Sequence, residues 1–484
     1  MTIPHLIPPH PDMDRAMRRA TRLGGREPWQ MPLGMDAPAR PAARRTIPGR
    51  VNWLVVPVGF SDRPFQTGPG FFDDLFFGAG KSVASYYCDQ SNGKYNIRPK
   101  HRPSDIGVIQ APHPYSYYCN GNHGFGTFPQ NTQGLFTDVV AGLLALNVDF
   151  RPYDNDGDGI VDGLVIVYAG GDASVTGDPD TFWAHMWSWS PIEVAPGLSI
   201  RSYYVGPEMF FQPEDMKIGI HAHEAGHLYL GLPDLYAHAW KGIGRWGLMA
   251  NGAWNGSMGG NPAPLSVFSR IHAGFLDPPL LPDGLVRFLP GRPYVVPVEG
   301  SPNDYFTLEY MGNSGPAAKL PGHTLLITQV RDYGQSNLDP NNARIKIIEC
   351  DGRQDLVTNQ NYGEPSDVFP YLIAARGEAP GYWRRWFGPN DLEGTTSRWV
   401  DGRQVFSMNN IEIAPDGSEI TANVKIGRGV IGDLTGDESV GMADLQKIVA
   451  AAFFGGELHP DMDLNGDRMI DSVDIQTLVD ILRT

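Results

Sequence analysis

The stretch HAHEAGHLYLGLPDLY, residues 221–236, places two histidines four residues apart with a glutamate directly after the first. In a helix, His223 and His227 lie one turn apart on the same face, so both imidazoles can reach one ion. Glu224 is then placed to take a proton from an attacking water molecule. A zinc ion at such a site would polarise a carbonyl group and lower the pKa of that water. The spacing therefore predicts hydrolytic metal chemistry.

A third protein ligand is expected, because a catalytic zinc takes three protein ligands and keeps one position open. Gly231 can end the helix in a left-handed turn, and Pro233 cannot continue it, so the chain can double back toward the metal. Asp234 is then the nearest oxygen ligand. The other candidates for this position are His221, His238 and Glu208.

The elements that must position these residues can be predicted from apolar spacing. Residues 50–62 and 162–170 are apolar runs that predict buried strands, and residues 134–147 and 216–231 have the spacing of helices. Beyond about residue 285, short apolar runs alternate with Gly, Pro, Asn and Asp, which predicts an antiparallel β-sandwich. A mixed α/β region therefore precedes an all-β region.

The composition limits the class of protein. A length of 484 residues favours two or three domains, and the formal charge of −16 argues against nucleic acid as a partner. No run approaches the roughly 18 apolar residues of a membrane span, and the first residues lack the apolar core of a secretory signal. The three cysteines are Cys88, Cys119 and Cys350. They allow one disulfide, for which Cys88–Cys119 is the preferred pair, and they fit three free thiols equally well.

Two Asp-rich loops near the C-terminus, residues 433–444 and 463–474, are each followed by an apolar-periodic helix. Their oxygen-bearing residues stand at the positions that hold calcium in such loops. In the first loop these are Asp433, Thr435, Asp437, the Ser439 carbonyl and Asp444. In the second they are Asp463, Asn465, Asp467, the Met469 carbonyl, Asp471 through water, and Asp474. The alternative is a pair of Asp-capped helices without metal.

A third Asp-rich stretch, DNDGDGIVDG at residues 154–163, has calcium-loop spacing as well. The oxygen ligands would come from four carboxylates, and the residue at the closing position is Val165. A calcium site and an Asp/Gly-rich turn both fit this stretch. The four carboxylates belong to Asp154, Asp156, Asp158 and Asp162.

Several segments follow the order seen in the immune inhibitor A family of bacterial secreted metallopeptidases. They include VPVGFSD, SYYCDQSNGKYNI, TFWAHMWSWS, PLSVFSRIHAGFLDP, RIKIIECDGRQDL and GEPSDVFP, and the resemblance runs from about residue 50 to 425. The stretch GIGRWGLMANGAWNG resembles the methionine turn of metzincin-type peptidases. The resemblance implies a zincin-type fold with catalytic Zn²⁺, with His223 and His227 as ligands, Glu224 as general base and Met249 as the turn methionine. Asp234 aligns with the family's candidate third ligand.

The chain departs from the family pattern beside the zinc motif. Three residues, Leu228, Tyr229 and Leu230, separate the second histidine from the glycine, where the family usually has two. One additional helical residue rotates the next segment of the chain by about 100°, which would carry Asp234 away unless a π-bulge absorbs it. The family's acidic residue after the tyrosine is Ala237 here, and about 50 residues precede the first predicted strand, where the family commonly has a large N-terminal pro-domain.

The duplicated loop–helix units, with Asp rather than Glu at position 12, resemble a dockerin. That resemblance implies structural Ca²⁺ and a cohesin-type protein partner. The two pairs of residues that would contact such a partner differ, Met442-Ala443 in one unit and Ser472-Val473 in the other, which argues against a symmetric dual binding mode.

We therefore predict four segments. They are a poorly ordered arm or pro-segment remnant (1–47), a zinc metallopeptidase catalytic domain of α/β (α+β) class (48–284), an antiparallel β-sandwich (285–428) and a small α-helical dockerin-like module (431–484). The predicted function is a zinc endopeptidase acting on protein substrates, extracellular or at the cell surface, because sites that fill only at extracellular calcium levels suit that location. The alternatives are an inactive pseudo-peptidase and a scaffold-attached binding protein acting through the β-sandwich and dockerin-like module.

Overall fold

The computed structural model describes residues 5–13, 49–237, 240–298, 301–331, 337, 339–340, 343–373, 382–384, 399–400, 403–426, 440–454, 462 and 472–483. The chain divides into two compact units, residues 1–277 and 278–484. In the described part, no helix is both long enough and apolar enough to cross a membrane.

The first unit contains one eight-stranded mixed sheet, with central strands parallel and an antiparallel edge. Its strands are β1 (His5–Leu6), β2 (Arg50–Gly59), β3 (Asn96–Pro99), β4 (Ile109–Gln110), β5 (Ile160–Val161), β6 (Leu164–Tyr168), β7 (His185–Ala195) and β8 (Leu198–Pro207). The main order is β1-β7-β8-β6-β2-β3, with β4 beside β2 and β5 beside β8. Strands β2, β6 and β8 are parallel, whereas β7 and β1 run antiparallel to their neighbours.

The central strands read as apolar runs because both faces of the sheet are covered. All five residues of β6 are buried, as are the last seven of β2. The α-helices described in this unit are α1 (Pro69–Phe77), α2 (Val83–Gln90), α3 (Pro103–Ile106), α4 (Tyr115–Cys119), α5 (Thr132–Ala145), α6 (Ala173–Thr176), α7 (Ile218–Leu230) and α8 (Val267–His272). The mixed α/β class, both strands and both helices predicted from apolar spacing are confirmed.

Helix α7 is the central helix of the unit, since every residue from Ile218 to Tyr229 is buried. It packs against β7, β8 and α2. A helix buried on all sides is expected to be apolar all round. The histidines and the glutamate in α7 depart from that pattern, so each of them needs a specific partner inside the protein.

Residues 5–13 pack within the first unit, which differs from the disordered arm expected for residues 1–47. Leu6 is 7% exposed, Ile7 0% and Met13 9%. Burial of these apolar side chains and pairing with the edge strand β7 offset the conformational entropy that this Pro-rich segment loses when it becomes ordered. The rest of that predicted arm lies outside the described residues.

None of the three cysteines forms a disulfide. The Cys88–Cys119 pairing considered from the sequence is not formed, and the Cys119 Sγ instead contacts the Pro179 carbonyl oxygen at 3.4 Å.

The second unit contains two antiparallel sheets that share one hydrophobic core. One sheet has the order β10-β11-β12-β13 and the other β18-β19-β9, with two short hairpins besides. The rings of Phe306 and Phe406, on strands of different sheets, lie 5.5 Å apart. The strands are β9 (Gly284–Phe288), β10 (Tyr294–Val298), β11 (Ser301–Tyr310), β12 (Leu325–Arg331), β13 (Ile345–Ile347), β14 (Tyr371–Ile373), β15 (Tyr382–Arg384), β16 (Trp399–Val400), β17 (Arg403–Gln404), β18 (Phe406–Ile413) and β19 (Ile420–Ile426).

Two helices near the C-terminus, α9 (Met442–Phe454) and α10 (Ser472–Leu482), pack together around Ile448, Ala451 and Leu478. Asp444 and Asp474 are buried in the first turns of these helices. An oxygen of Asp444 accepts a hydrogen bond from the Gly441 amide at 2.7 Å, which caps α9. The other predicted calcium ligands, Asp433, Thr435, Asp437, Ser439, Asp463, Asn465, Asp467, Met469 and Asp471, lie outside the described residues.

Candidate metal centre

Helix α7 ends at the predicted glycine and the chain then reverses direction. Gly231 has a φ of 62°, in the left-handed region that favours glycine. Its amide donates to the His227 carbonyl, and the Leu232 amide reaches back to the Gly226 carbonyl, both at 3.1 Å. The Gly231 amide also bonds the Gly226 carbonyl, so the turn that closes the helix is wider than an ordinary α-helical turn. Residues Ile218–Leu230 are α-helical, and the bond from the Gly231 amide to the Gly226 carbonyl has the five-residue span of a π-turn at the end of the helix.

Compared with the family pattern, α7 has one additional residue between His227 and Gly231, and packing accommodates it. The Tyr229 ring stacks on Trp53 with centroids 4.1 Å apart, and its hydroxyl lies 3.4 Å from the Gly163 carbonyl oxygen. Leu228 packs against Gly163, where a Cβ atom would come within 2.6 Å of the leucine side chain. The last turn of α7 is therefore fixed against β2 and β6, and the reversal begins from a defined point.

The reversal brings Asp234 to the two histidines of the motif. The Nε2 atoms of His223 and His227 are 3.1 Å apart, and Asp234 Oδ1 lies 3.3 Å and 3.2 Å from them, respectively. Ligands about 2.1 Å from a tetrahedral ion are about 3.4 Å from one another. The three donor atoms therefore have the mutual spacing of three zinc ligands.

Backbone carbonyls fix the orientation of both imidazoles. The Nδ1 atom of His223 is 2.9 Å from the Leu248 carbonyl oxygen, and that of His227 is 2.6 Å from the Leu232 carbonyl oxygen. A carbonyl oxygen can only accept, so each Nδ1 carries the proton. The Nε2 lone pairs consequently point into the site, as metal binding requires.

Met249 occupies the turn that follows the site. It is buried, and its carbonyl oxygen accepts a hydrogen bond of 2.8 Å from the Leu235 amide. Its sulfur lies so close to α7 that a Cβ atom at Gly226 would be only 2.8 Å away. This turn therefore holds the helix and the returning segment together, and through the Leu248 carbonyl it also orients His223.

The charge state of the site suits a cation. Burial acts to raise the pKa of Asp234, but the neighbouring imidazoles, that of His227 most strongly, outweigh it and hold the pKa well below its usual value. Burial lowers the pKa of His227 to about 4. An ionised carboxylate beside a neutral imidazole is the form in which these groups bind a metal.

Glu224 is fully buried beside this triangle of donors. Burial, together with the nearby Asp234 and Asp172 carboxylates, raises its pKa well above the usual value, and the backbone amides of Met186 and Ile7 act in the opposite direction. Among the described residues, neither carboxyl oxygen has a partner within normal hydrogen-bond geometry. A buried, poorly satisfied carboxyl group is costly for folding, which favours a chemical role.

Two residues at the site were missed in the sequence. Tyr236 lies two residues after Asp234, and its buried hydroxyl donates to the Leu6 carbonyl oxygen. Burial raises the pKa of Tyr236 well above its usual value, so the hydroxyl keeps its proton. His5 stacks on His227 with ring centroids 4.5 Å apart, and its Nδ1 lies 3.3 Å from Asp234 Oδ2. The proximity of Tyr236 to Asp234 in sequence was an available signal; His5 offered none.

The other candidates for the third ligand have structural partners. Burial lowers the pKa of His221 to about 3, and its Nε2 lies 3.2 Å from the Pro207 carbonyl oxygen. Glu208 accepts hydrogen bonds from the backbone amides of Gln66, Thr67 and Gly170, and so ties two loops together. His238 lies outside the described residues.

The Asp-rich stretch at residues 154–163 forms a compact loop. One oxygen from each of Asp154, Asp156 and Asp158 lies within 4.8 Å of the others. The Asp154 carboxylate accepts hydrogen bonds from backbone amides of the loop itself. Asp162 instead accepts hydrogen bonds from Asn155, at 2.9 Å and 2.6 Å. Calcium binding here stays a prediction.

A buried acidic cluster in the second unit was not singled out in the sequence. Glu349, Asp351 and Asp367 each place one carboxyl oxygen within 4.8 Å of the others. Glu349 accepts hydrogen bonds from the Asp355 and Leu356 amides, at 2.7 Å and 3.1 Å. Burial, and after it the charge of Asp367, raises the pKa of Glu349 to about 8.

We expect this cluster to make folding stability fall as pH rises. Glu349 has a usual pKa of 4.5, so between about 4.5 and 8 the folded state holds a proton that the unfolded state releases. Each pKa unit corresponds to about 1.4 kcal/mol, so the stability relative to Glu349→Gln should drop by about 4–5 kcal/mol across that window. Urea unfolding in chelator at several pH values measures this, and parallel pH profiles for the two proteins would contradict it.

The donor triangle lies in a region that is similar to a known peptidase catalytic domain. Residues 70–277 match the family described as immune inhibitor A peptidase M6, catalytic domain. A curated relative, "Immune inhibitor A" of Bacillus thuringiensis subsp. alesti, is 27% identical over 235 residues, which cover 42% of this chain and 32% of the relative. The chain therefore aligns with about a third of that relative's length. Residues 70–277, which contain the three donor residues, are therefore similar to a metallopeptidase catalytic domain, and such domains imply zinc.

Proposed function

We propose that this chain hydrolyses internal peptide bonds of protein substrates at a zinc site formed by His223, His227 and Asp234. The observation that carries the proposal is the triangle of donor atoms, 3.1 to 3.3 Å on a side, next to the buried carboxyl of Glu224. The position of this triangle inside the region that matches a metallopeptidase catalytic domain supports it.

The proton transfers of the reaction fall to Glu224. A zinc ion, when bound, would polarise the peptide carbonyl and acidify the attacking water. Because burial raises the pKa of Glu224, the carboxylate is basic enough to take a proton from that water near neutral pH. It can then pass the proton to the nitrogen of the departing amine, which completes hydrolysis.

The developing negative charge on the carbonyl oxygen is met by Tyr236. Its hydroxyl already donates to a peptide carbonyl, that of Leu6, and that oxygen lies 3.3 Å from Nε2 of His223. A preorganised donor in a water-poor site stabilises an oxyanion far more than it would in water. Tyr236 is therefore the residue that we assign to the oxyanion.

Removal of the metal tests this function. Dialysis of the protein against a zinc-selective chelator is expected to abolish hydrolysis of an unfolded protein substrate, and about one equivalent of Zn²⁺ per chain should restore it. Calcium alone should not restore it, because two imidazoles favour a borderline-soft ion. Full hydrolysis in protein shown by elemental analysis to lack zinc would contradict the proposal.

We further propose that the second unit is a β-sandwich followed by a calcium-binding dockerin-like module that attaches a secreted enzyme to a cohesin-type partner. The pairing of α9 with α10, and the burial of Asp444 and Asp474 at the closing position of each predicted loop, support this. Calcium should protect residues 440–483 from proteolysis, and equal cleavage in chelator and in calcium would refute it.

The two alternative functions rest on weaker support. A pseudo-peptidase would need a broken ligand set, whereas the additional residue in α7 leaves Asp234 within 3.3 Å of both imidazoles. A binding protein acting only through the second unit would give no reason to keep Glu224 buried and poorly satisfied.

A further inference from the structure

An irregular loop of the second unit, residues 349–367, is held closed at both ends by strand β12; we call it the acidic loop. Just before it, the Ile348 amide donates to the Ile327 carbonyl oxygen at 2.9 Å. Just after it, Phe369 and Leu325 exchange two backbone hydrogen bonds of 2.9 Å. Two further backbone bonds, of 3.0 and 3.1 Å, join the first residues of the loop to its last ones. The loop is therefore closed on itself, and side chains distant in sequence meet inside it.

The buried interior of the acidic loop is rich in carboxyl groups. Glu349, Asp351 and Asp367 are 6%, 5% and 0% exposed, and one oxygen of each lies within 4.8 Å of the others. The loop contains five acidic residues and one arginine, so negative charge is in excess. Buried carboxylates this close together repel one another, and a stable arrangement needs either a cation or bound protons.

Asp351 has a buried oxygen that no hydrogen bond satisfies. Its Oδ1 atom accepts the Arg353 amide at 3.0 Å, whereas its Oδ2 atom has no hydrogen-bond partner among the described residues. The Arg353 Nε atom forms an ion pair with that Oδ2 atom at 3.5 Å, from a side chain that is 43% exposed, while the carboxylate side chain is 3% exposed. Water screens a half-exposed guanidinium, so most of the cost of burying this oxygen stays uncompensated.

The alternative is that Arg353 neutralises the cluster without any metal. Arg353 reaches Asp351 and Glu364 at 3.5 and 3.6 Å, both longer than an ordinary hydrogen bond between these groups. Glu349, in contrast, accepts two backbone amides of the loop. Such donors favour the ionised carboxylate, which is the form that binds a metal. The loop is thus arranged to hold carboxylates in place, with too little positive charge of its own to balance them.

The donor atoms of the cluster suit calcium. The group consists of carboxylates alone, and hard oxygen donors favour Ca²⁺ or Mg²⁺ over zinc. Calcium holds its ligands at about 2.4 Å, so oxygens on one ion lie up to about 4.8 Å apart, and the three carboxyl groups meet this limit. Calcium also accepts the irregular geometry of a loop, whereas Mg²⁺ demands a near-ideal octahedron and usually keeps several waters. A buried, irregular set of carboxylates therefore favours calcium.

We propose that the acidic loop binds one calcium ion through Glu349, Asp351 and Asp367, and that the ion fastens the loop to β12. The site lies outside all three Asp-rich stretches identified from the sequence, and it does not depend on the proposed hydrolysis. The ion supplies the positive charge that the loop lacks. Removal of calcium leaves the carboxyl groups to repel one another, so the loop opens more readily.

Trypsin cleavage after Arg353 tests the proposal, because Arg353 is the one basic residue of the acidic loop. The full chain is used, with Glu224→Gln in every protein so that self-cleavage does not contribute. Free calcium at about 1 mM should slow the appearance of the fragment ending at Arg353 about tenfold relative to calcium-free buffer, the factor for a Kd of about 0.1 mM. Mass spectrometry identifies and counts the fragment.

Two variants and one control show whether the protection comes from this site. In Asp351→Asn and Glu349→Gln, calcium should no longer slow the cleavage, because each variant loses one ligand charge. Glu349→Gln keeps the size of the side chain and an acceptor for the two amides, so it carries the test if Asp351→Asn does not fold. Asp416→Asn removes an exposed carboxylate of the same unit and should be protected like the parent.

Calcium counting by equilibrium dialysis is the second measurement. Glu349→Gln and folded Asp351→Asn should each bind one ion fewer than the parent, and Asp416→Asn should bind the same number. Cleavage after Arg353 that calcium does not slow in the parent would overturn the proposal. Protection that persists in Glu349→Gln would assign the effect to ions bound elsewhere and would overturn it as well, as would equal calcium counts in Glu349→Gln and the parent.

Discussion

Replacing Glu224 with glutamine should lower kcat for peptide hydrolysis by about 10²–10⁴-fold, the usual contribution of a general acid–base group. The amide keeps the size of the side chain but cannot accept the proton of the attacking water. Zinc content should stay at the parent level, because the donors come from His223, His227 and Asp234. Steady-state kinetics together with elemental analysis on the same preparation measures both effects.

The thermal stability of Glu224→Gln distinguishes a chemical role of Glu224 from a structural one. Burial raises the pKa of Glu224, so the ionised carboxyl is costly in the folded state and the neutral glutamine should not lower the melting temperature. An unchanged kcat in Glu224→Gln would remove Glu224 from the reaction. A lower kcat accompanied by a large drop in melting temperature would point to damaged packing instead.

Replacing Asp234 with alanine should weaken zinc binding by more than 10²-fold, beyond the roughly 10–100-fold that loss of an outer hydrogen-bond partner costs. Two imidazoles would remain 3.1 Å apart with no carboxylate to balance the charge of the ion. Competition for zinc with a chromophoric chelator gives the affinity directly. Hydrolysis should fall in parallel at limiting zinc.

Glu208→Gln is the matched control for Asp234→Ala. Glu208 is also a buried acid of the first unit, and it accepts hydrogen bonds from backbone amides rather than facing the histidines. The folded Glu208→Gln protein should bind zinc with the affinity of the parent. If Asp234→Ala keeps full affinity while Glu208→Gln loses it, the third ligand has been misassigned.

The helix, both histidines and the turn at Gly231 could be predicted from the sequence because their determinants are local. Spacing by four residues fixes the face of a helix, and a glycine before a proline marks its end. The position of Asp234 relative to the two histidines could not be predicted from the local sequence alone. It depends on how the end of α7 accommodates the additional residue, and there Tyr229 stacks on Trp53, a residue distant in sequence.

The placement of residues 5–13 was beyond sequence reasoning for a related reason. A short Pro-rich segment has no period of its own, and its order comes from an edge strand about 180 residues further along the chain. The buried cluster at Glu349 shows the same limit, since Asp367 joins it only through the fold. In each case the missing information was a non-local contact, not a misread motif.

The position of β1 at the outer edge of β7 has a consequence for colloidal behaviour. An unpaired strand edge is a template on which other chains can add and aggregate. While residues 5 and 6 are paired there, the backbone groups of β7 at Met186 and His185 are covered. A variant that lacks the segment would present that edge to solvent, so it should be more prone to self-association than the parent.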